Sequence, residues 1–270
     1  GAFLISAFIT LTGRKEYDSL SRLGAVVAPW LFIVAPVILI FDPEQPARFW
    51  ELITSFNVTS AGSWGVWFIA LFFINSVLYL INFGKNVART FAIAGIPLGL
   101  LAHGYAGYVL NQNQARALWN TALMPWLFLV AALISGIALV SLLAVAKDSL
   151  FGGSLFGVKG KTDVEVLYGL GRIAAWGLLV YLGLIFTDVL TLAASQGDSL
   201  AAAKMLLSGS YATLFWVFSI VLGAVVPLFV LFSKKTGLSA GAQAVASILV
   251  LVGTFTIRYI IVIAGQKIPL

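Results

Sequence analysis

Two side chains that can exchange protons lie close together near the end of an apolar segment. His103 and Tyr105 both fall in the apolar run over 88–110. A buried imidazole or phenol needs a hydrogen-bond partner. Reduction of a quinone turns two carbonyl oxygens into hydroxyls, which requires donors that relay protons. With the carboxylate of Asp42, these residues predict a site for a quinone head group; the alternative is a pair of polar side chains satisfied in the core.

Aromatic and polar residues cluster at the same predicted membrane depth. Their positions favour an interfacial aromatic belt with charges reaching toward water, or a surface that holds the quinone and a partner protein. The residues in question are Arg48, Phe49, Trp50, Trp64, Trp67, Tyr108, Asn111, Asn113, Arg116 and Trp119.

Five ionisable residues lie within or beside later apolar runs. Charges inside a membrane are expensive and are usually paired or water-lined. Asp188 and Arg258 have similar predicted depth, so we expect them to pair, either as a structural lock between two helices or as part of a proton path. Arg172 has Asp163 and Glu165 nearby, and these three predict a second ion pair or a proton entrance.

The elements that position these residues are membrane helices. The chain has 270 residues, of which 61% are apolar and 10% charged, with a mean hydropathy of +1.03; a soluble domain is far more polar. Each crossing needs roughly 20 apolar residues. The runs predict an all-α polytopic membrane protein of about eight helices, over 1–12, 22–41, 62–83, 88–110, 119–146, 166–190, 209–233 and 239–264. The first run is too short to span and is interpreted as part of a helix that begins upstream.

The distribution of basic residues predicts an orientation. The loops after spans 1, 3, 5 and 7 carry ten Lys and Arg residues, against three in the loops after spans 2, 4 and 6. Cytoplasmic loops are enriched in Lys and Arg. We therefore expect the odd loops in the cytoplasm, and the even loops and the C-terminus outside.

The same pattern suggests a division of the chain. Residues 1–146 are predicted to form a four-helix bundle that holds the quinone site. Residues 147–165 are Gly-, Ser- and Lys-rich and predict a plain cytoplasmic connector, and residues 166–270 supply the remaining membrane helices.

Composition also excludes several kinds of site. The chain has no cysteine and one histidine, which excludes cysteine-ligated iron–sulfur clusters, the usual structural zinc sites and a bis-histidine haem within this chain. It has no P-loop and no HExxH motif. The expected surroundings are the lipid bilayer, and no nucleic-acid partner is expected.

Six stretches resemble motifs of the NrfD/PsrC family, the membrane subunits of polysulfide reductase-like enzymes. Residues 42–50 resemble its D-x-x-[RK]-P-x-R-F motif, and residues 57–67 resemble its N-x-[ST]-S-x-x-S-W-G-x-W motif. Residues 103–107 are similar to its Y-x-G motif and residues 115–120 to its R-x-x-W stretch. Residues 1–4 and 258–266 resemble parts of its first and last helices, so the resemblance covers nearly the whole chain in order.

The resemblance implies a quinone-linked membrane anchor in the cytoplasmic (inner) membrane of a prokaryote that respires anaerobically. Such subunits bind menaquinone or ubiquinone near the outer face between the first four helices and hold no redox cofactor of their own. They anchor a [4Fe–4S] ferredoxin-like subunit and usually a molybdopterin catalytic subunit. The resemblance implies that Tyr105 contacts the quinone. Beside it we predict His103, Asp42 and Trp64 as quinone-site residues, and we expect the partner to dock on Arg48, Phe49, Trp50, Asn113 and Arg116.

Other functions fit the same sequence. The intramembrane charges suit an ion- or proton-coupled transporter, which Gly/Pro-broken helices would support; Pro97, Pro125 and Pro227 supply a weak form of that signal. A purely structural anchor without a quinone site is a third hypothesis. Electron transfer coupled to proton translocation is a mixed case, in which Arg172, Glu165 and Asp163 would take part.

Overall fold

Helices form nearly all of the described chain. The computed structural model describes residues 1–41 and 51–267. The helices are α1 (Ala2–Thr12), α2 (Asp18–Phe41), α3 (Glu51–Thr54), α4 (Ala61–Ile81), α5 (Val87–Asn111), α6 (Met124–Ser149), α7 (Val164–Ala194), α8 (Asp198–Leu207), α9 (Val226–Phe232), α10 (Lys234–Gly237) and α11 (Ala240–Lys267). A 3₁₀ turn (Lys15–Tyr17) precedes α2, and a π-helical segment (Leu214–Val225) continues into α9. Two short strands, β1 (Ser154–Leu155) and β2 (Val158–Lys159), pair antiparallel.

The length and hydropathy of these helices confirm a polytopic membrane protein. Within the described ranges, six helices are long and apolar enough to cross a membrane: α4, α5, α6, α7, Leu214–Phe232 and α11. Backbone polar groups pair within a helix, which is why continuous apolar helices suit a bilayer. Among the described residues, six of the eight predicted spans are therefore supported, and the total of eight stays a prediction. α1 is a shorter apolar helix of 11 residues, and α2 runs 24 residues over the predicted second span.

Contacts between helix ends gather the Lys- and Arg-rich loops at one end of the bundle, which we call the basic end. Arg89 Nη2, near the start of α5, donates to the Leu11 carbonyl at the end of α1, at 3.2 Å. Lys147 Nζ, near the end of α6, donates to Ser19 Oγ at the start of α2, at 2.7 Å. The ends of α1 and α6 therefore meet the starts of α5 and α2, as the predicted alternation of helix directions requires.

The segment 147–165 is more structured than the predicted plain connector. α6 continues to Ser149, and β1 and β2 form a small hairpin after it. The Lys147 side chain is fully buried and donates to the Gly160 carbonyl and, at 3.2 Å, to Thr162 Oγ1. A buried ammonium needs several acceptors, and the residues that follow β2 supply two of them to Lys147.

Removal of the Lys147 charge is expected to loosen this segment. Lys147 Nζ also lies 3.3 Å from Asp148 Oδ1, so Lys147→Met leaves that carboxylate without its ion-pair partner. We expect a loss of about 1–3 kcal/mol of stability and faster cleavage of the hairpin by proteinase K. The exposed Lys161 provides the control, since Lys161→Met removes the same charge nearby and should digest like the parent. Equal resistance of both variants would show that Lys147 does not hold the connector.

Two apolar clusters form the core. The larger one is built around α6 and includes α7 and α11, whereas the smaller one lies between α1, α2, α4 and α5. α6 therefore shares a core with the helices that follow it. The division into two bundles at 146 and 166 stays a prediction.

A buried group of hydroxyls joins α1, α2 and α4 near the basic end. Ser6 Oγ donates to the Ser21 carbonyl at 2.6 Å and lies 2.8 Å from the Tyr79 hydroxyl. The Tyr79 hydroxyl also lies 2.6 Å from Thr10 Oγ1. Sequence reasoning missed this cluster because each residue is a single hydroxyl within an apolar run, and the residues meet only when the helices pack.

Candidate functional site

An aromatic-lined cavity lies between α4, α5 and the start of α6, at the end opposite the basic end. It has a volume of about 440 Å³, and we call it the Tyr105 pocket. Its lining is mostly apolar, with a few hydroxyl groups, which is typical of small-molecule sites. The lining residues are Val58, Thr59, Trp64, Phe68, Leu100, Leu101, Gly104, Tyr105, Tyr108 and Pro125.

The turn before α4 forms one wall of this pocket. Asn57 Oδ1 accepts hydrogen bonds from the Thr59 backbone at 3.0 Å and from its hydroxyl at 2.8 Å. The Asn57 backbone amide donates to Ser63 Oγ at 3.2 Å, and Trp64 Nε1 donates to the Val58 carbonyl at 2.9 Å. These bonds account for the spacing of Asn, Thr, Ser and Trp in this stretch: they fix the turn and set the indole at the pocket.

Tyr105 reaches the pocket because Gly65 leaves room for its ring. A Cβ at Gly65 would overlap the Tyr105 ring and would also meet its hydroxyl oxygen. The Phe68 ring stands edge-on to Tyr105 at 6.3 Å and stacks with Trp64 at 6.0 Å. One phenol hydroxyl is thus presented beside a row of aromatic faces.

A second glycine brings α5 against the start of α6. A Cβ at Gly107 would lie 2.6 Å from the Met124 carbonyl oxygen and 2.6 Å from Pro125 Cα. Only glycine allows this approach without a shift of the backbone. The Tyr-x-Gly spacing therefore serves to place Pro125 in the pocket wall beside Tyr105.

His103 lines a different cavity. Two residues along a helix rotate a side chain by about 200°, so His103 and Tyr105 face opposite sides of α5. His103 Nδ1 lies 3.1 Å from the Gly99 carbonyl oxygen, and its ring stands 6.1 Å from Phe32 and 6.3 Å from Phe72.

This second space, the His103 cavity, has a volume of about 180 Å³. Its polar lining comes from His103, Ser135 and Arg258. Sequence reasoning assigned Arg258 to a separate proton path, because the packing of α11 on α6, which brings Arg258 to the cavity that His103 lines, is not visible in the sequence. The structure therefore separates the predicted site into a Tyr105–Trp64 part and a His103 part.

The expected pairing of Asp188 with Arg258 is wrong. Arg258 Nη2 donates to the Phe128 carbonyl at 3.2 Å, and its guanidinium lies 5.1 Å from the centre of the Phe128 ring. Asp188 is only 7% exposed, and its Oδ1 has no hydrogen-bond partner among the described residues. The guanidinium of Arg258 is held by Phe128 on α6 instead of by Asp188.

The three residues of the predicted proton entrance do not meet. Asp163 is the N-cap of α7 and accepts a hydrogen bond from the Glu165 amide at 3.0 Å. Arg172 is exposed, with its guanidinium 6.0 Å from the Tyr168 ring. Its two expected carboxylate partners stay at the first turn of the helix, so no ion pair forms among them.

Two residues of the 112–123 loop hold the end of α11. Arg116 Nη1 donates to the Gln266 carbonyl at 3.0 Å, and Trp119 Nε1 donates to the Ile261 carbonyl at 2.7 Å. Trp119 packs where Gly265 has no side chain. The R-x-x-W stretch thus ties the loop to the last helix, and Trp119 is a core residue rather than part of an interfacial belt.

Of the other predicted docking residues, the structure describes Asn113. Asn113 Nδ2 donates to the Val109 carbonyl at 3.1 Å and caps the end of α5. Asp42, Arg48, Phe49 and Trp50 lie outside the described residues.

The arrangement suits a flat, neutral ring better than a metal ion. Aromatic faces from Trp64 and Phe68 can stack on such a ring, and the Tyr105 hydroxyl can donate to an oxygen on its edge. Across the described ranges, no group of three or more His, Cys, Asp or Glu side chains could hold a metal ion.

Comparisons with known proteins point to one family. The sequence profile described as "Polysulphide reductase, NrfD" matches residues 1–269. The chain is 26% identical to a polysulfide reductase chain from Wolinella succinogenes, over 97% of this chain and 88% of that protein. It is 28% identical to the Hdr-like menaquinol oxidoreductase integral membrane subunit of Archaeoglobus fulgidus, over 100% of this chain and 67% of that protein. It is 23% identical to a selenate reductase subunit from Mesobacillus selenatarsenatis, over 100% of this chain and 71% of that protein.

Proposed function

Because this chain belongs to the NrfD polysulphide reductase family, we propose that it exchanges electrons and protons between a membrane quinone and a partner iron–sulfur subunit. Its relatives include membrane subunits named for polysulfide, menaquinol and selenate oxidoreductases, which supports a membrane anchor of a quinone-linked oxidoreductase. The observation that carries the proposal is the Tyr105 pocket, an aromatic-lined cavity with the Tyr105 phenol among its lining groups.

In this proposal the quinone is the substrate and its head group occupies the Tyr105 pocket. Trp64 and Phe68 stack on the ring, and Tyr105 donates a hydrogen bond to one carbonyl oxygen. Menaquinone and ubiquinone both have the required flat ring with two carbonyls. The relative named as a menaquinol oxidoreductase subunit favours menaquinone.

Protons and electrons take separate routes to this substrate. Conversion of a quinone to a quinol consumes two electrons and two protons. The electrons must come from, or return to, a partner's cluster, since the chain has no cysteine and one histidine. For the protons we propose Asp42, by sequence alone. His103 faces the other side of α5, in the cavity that it shares with Arg258.

The proposed orientation places the pocket outside. The basic end is cytoplasmic by the excess of Lys and Arg in its loops, so the Tyr105 pocket faces the outer leaflet of the cytoplasmic membrane. We propose that the partner docks through Arg48, Phe49, Trp50, Asn113 and Arg116. By family resemblance it is a [4Fe–4S] ferredoxin-like subunit that carries a molybdopterin catalytic subunit.

Co-purification tests the anchor role. The tagged chain is purified from its native membrane in mild detergent, and co-purifying proteins, iron and molybdenum are measured. We expect an iron–sulfur protein in fixed ratio to the chain. A chain that purifies alone and free of metal would contradict the proposal, and substrate uptake by that chain in vesicles would identify a transporter instead.

A further inference from the structure

An apolar groove on the surface of the bundle opens between α1 and α7, with α6 as its floor. It has a volume of about 380 Å³. Its walls include Leu4, Ile96, Leu133, Ile137, Leu170 and Ile173. It is distinct from the Tyr105 pocket and the His103 cavity, with which it shares no lining residue.

The length of this groove corresponds to one leaflet of a bilayer. Along α1 it extends from Thr12 to Leu4, which is about 12 Å at a rise of about 1.5 Å per residue. Half of a typical hydrocarbon core is about 15 Å. The groove therefore has the length and direction that an acyl chain would need to run from the interface toward the bilayer centre. It begins at the basic end.

The interfacial end of the groove is positively charged. Arg14 lines it and is exposed, and Tyr17 lines it with its ring partly buried. Arg89 reaches the C-terminal end of α1, which is the end at the mouth of the groove. There its Nη2 donates a hydrogen bond to the Leu11 carbonyl. Because guanidinium carries several donors in a fixed fork, one such bond leaves Arg89 able to bind an anion as well.

We propose that this groove binds one anionic phospholipid, with an acyl chain along α1 and the phosphate between Arg14 and Arg89. Basic pockets between membrane helices bind anionic lipid head groups, and Arg pairs with phosphate through two parallel hydrogen bonds. The charge at the mouth favours a phosphate over the uncharged ring of a quinone. The site is independent of the proposed quinone chemistry.

Lipid binding to the purified full-length protein tests the site. Native mass spectrometry compares phosphatidylglycerol with phosphatidylcholine of the same acyl composition. Each Lys or Arg at a membrane surface contributes roughly 1 kcal/mol, which is about fivefold in affinity. We expect Arg14→Gln with Arg89→Gln to weaken phosphatidylglycerol binding about 25-fold.

Two controls separate this site from general attraction to a basic surface. Lys161→Gln with Lys235→Gln removes the same charge from the same end, away from the groove, and should change the affinity less than twofold. Ile173→Trp narrows the groove from its exposed side and should weaken binding without a change in head-group charge. All variants must elute as monodisperse protein.

Three results would overturn the proposal. They are equal binding of the two lipids, equal losses in the Arg and Lys double variants, or displacement of phosphatidylglycerol by a long-chain quinone at equal concentration. The last would assign the groove to the quinone.

Discussion

Tyr105→Phe is expected to lower quinol-linked turnover about 100-fold while the subunit stays assembled. The change removes one hydroxyl and keeps the ring that packs on Gly65, so the pocket keeps its shape. A positioned proton donor typically contributes 10²–10⁴-fold to a rate, and we expect the lower end because a quinol releases its second proton through another group. Turnover is measured with a soluble quinol analogue and the partner's acceptor, and normalised to the amount of this protein in the membrane.

A distant tyrosine provides the matched control for this variant. Tyr259 lies on α11, is 46% exposed and lines none of the three cavities, so Tyr259→Phe should leave turnover unchanged. Normal turnover in Tyr105→Phe would remove Tyr105 from the mechanism. Loss of the protein from the membrane would show that the hydroxyl serves folding rather than chemistry.

Gly65→Ala is expected to reduce turnover by a similar factor through the same tyrosine. The added Cβ overlaps the Tyr105 ring, so the ring must rotate and take its hydroxyl away from the substrate. A displacement of about 1 Å in an active site can cost about 100-fold. The Michaelis constant for quinol should rise as well, because the aromatic wall shifts with the ring.

The matched control lies one turn away on the same helix. A Cβ at Gly62 would meet only Ser60 Oγ, at 3.6 Å, so Gly62→Ala adds the same methyl group without a clash. It should retain parental turnover. The double variant Gly65→Ala, Tyr105→Phe should lose little more than either single variant, because coupled residues are not additive. Fully additive losses would show that Gly65 acts elsewhere.

The sequence predicted the helices well because continuous apolar runs leave few alternatives in a membrane. α5 at Val87–Asn111 and α7 at Val164–Ala194 both lie within a few residues of the expected limits. The extramembrane elements were missed: α8 (Asp198–Leu207) was not predicted, and the connector holds a hairpin. The hairpin depends on hydrogen bonds between residues distant in sequence, such as those of Lys147. No local sequence pattern reveals such bonds.

The structure brings some of the predicted site residues together and separates others. Tyr105 and Trp64 share a pocket, as expected, whereas His103 turns to a cavity with Arg258. Helical periodicity alone separates His103 from Tyr105, so that part was available from the sequence. The position of Arg258 was not, since it depends on how α11 packs on α6. The role of Gly65 also could not be predicted from the sequence. Only the packing of α5 against α4 shows that the Tyr105 ring occupies the space beside Gly65.

Photoaffinity labelling of the purified complex with an azidoquinone tests the central claim most directly. A quinone head group in the Tyr105 pocket would place the label on residues 58–68 of the α4 region or on 100–108 of α5, and Gly65→Ala would reduce it. Excess unmodified quinone should compete for the label. Labelling of Leu31, Leu139 or Leu251, which line the His103 cavity, or labelling unaffected by competition, would contradict a quinone site at Tyr105.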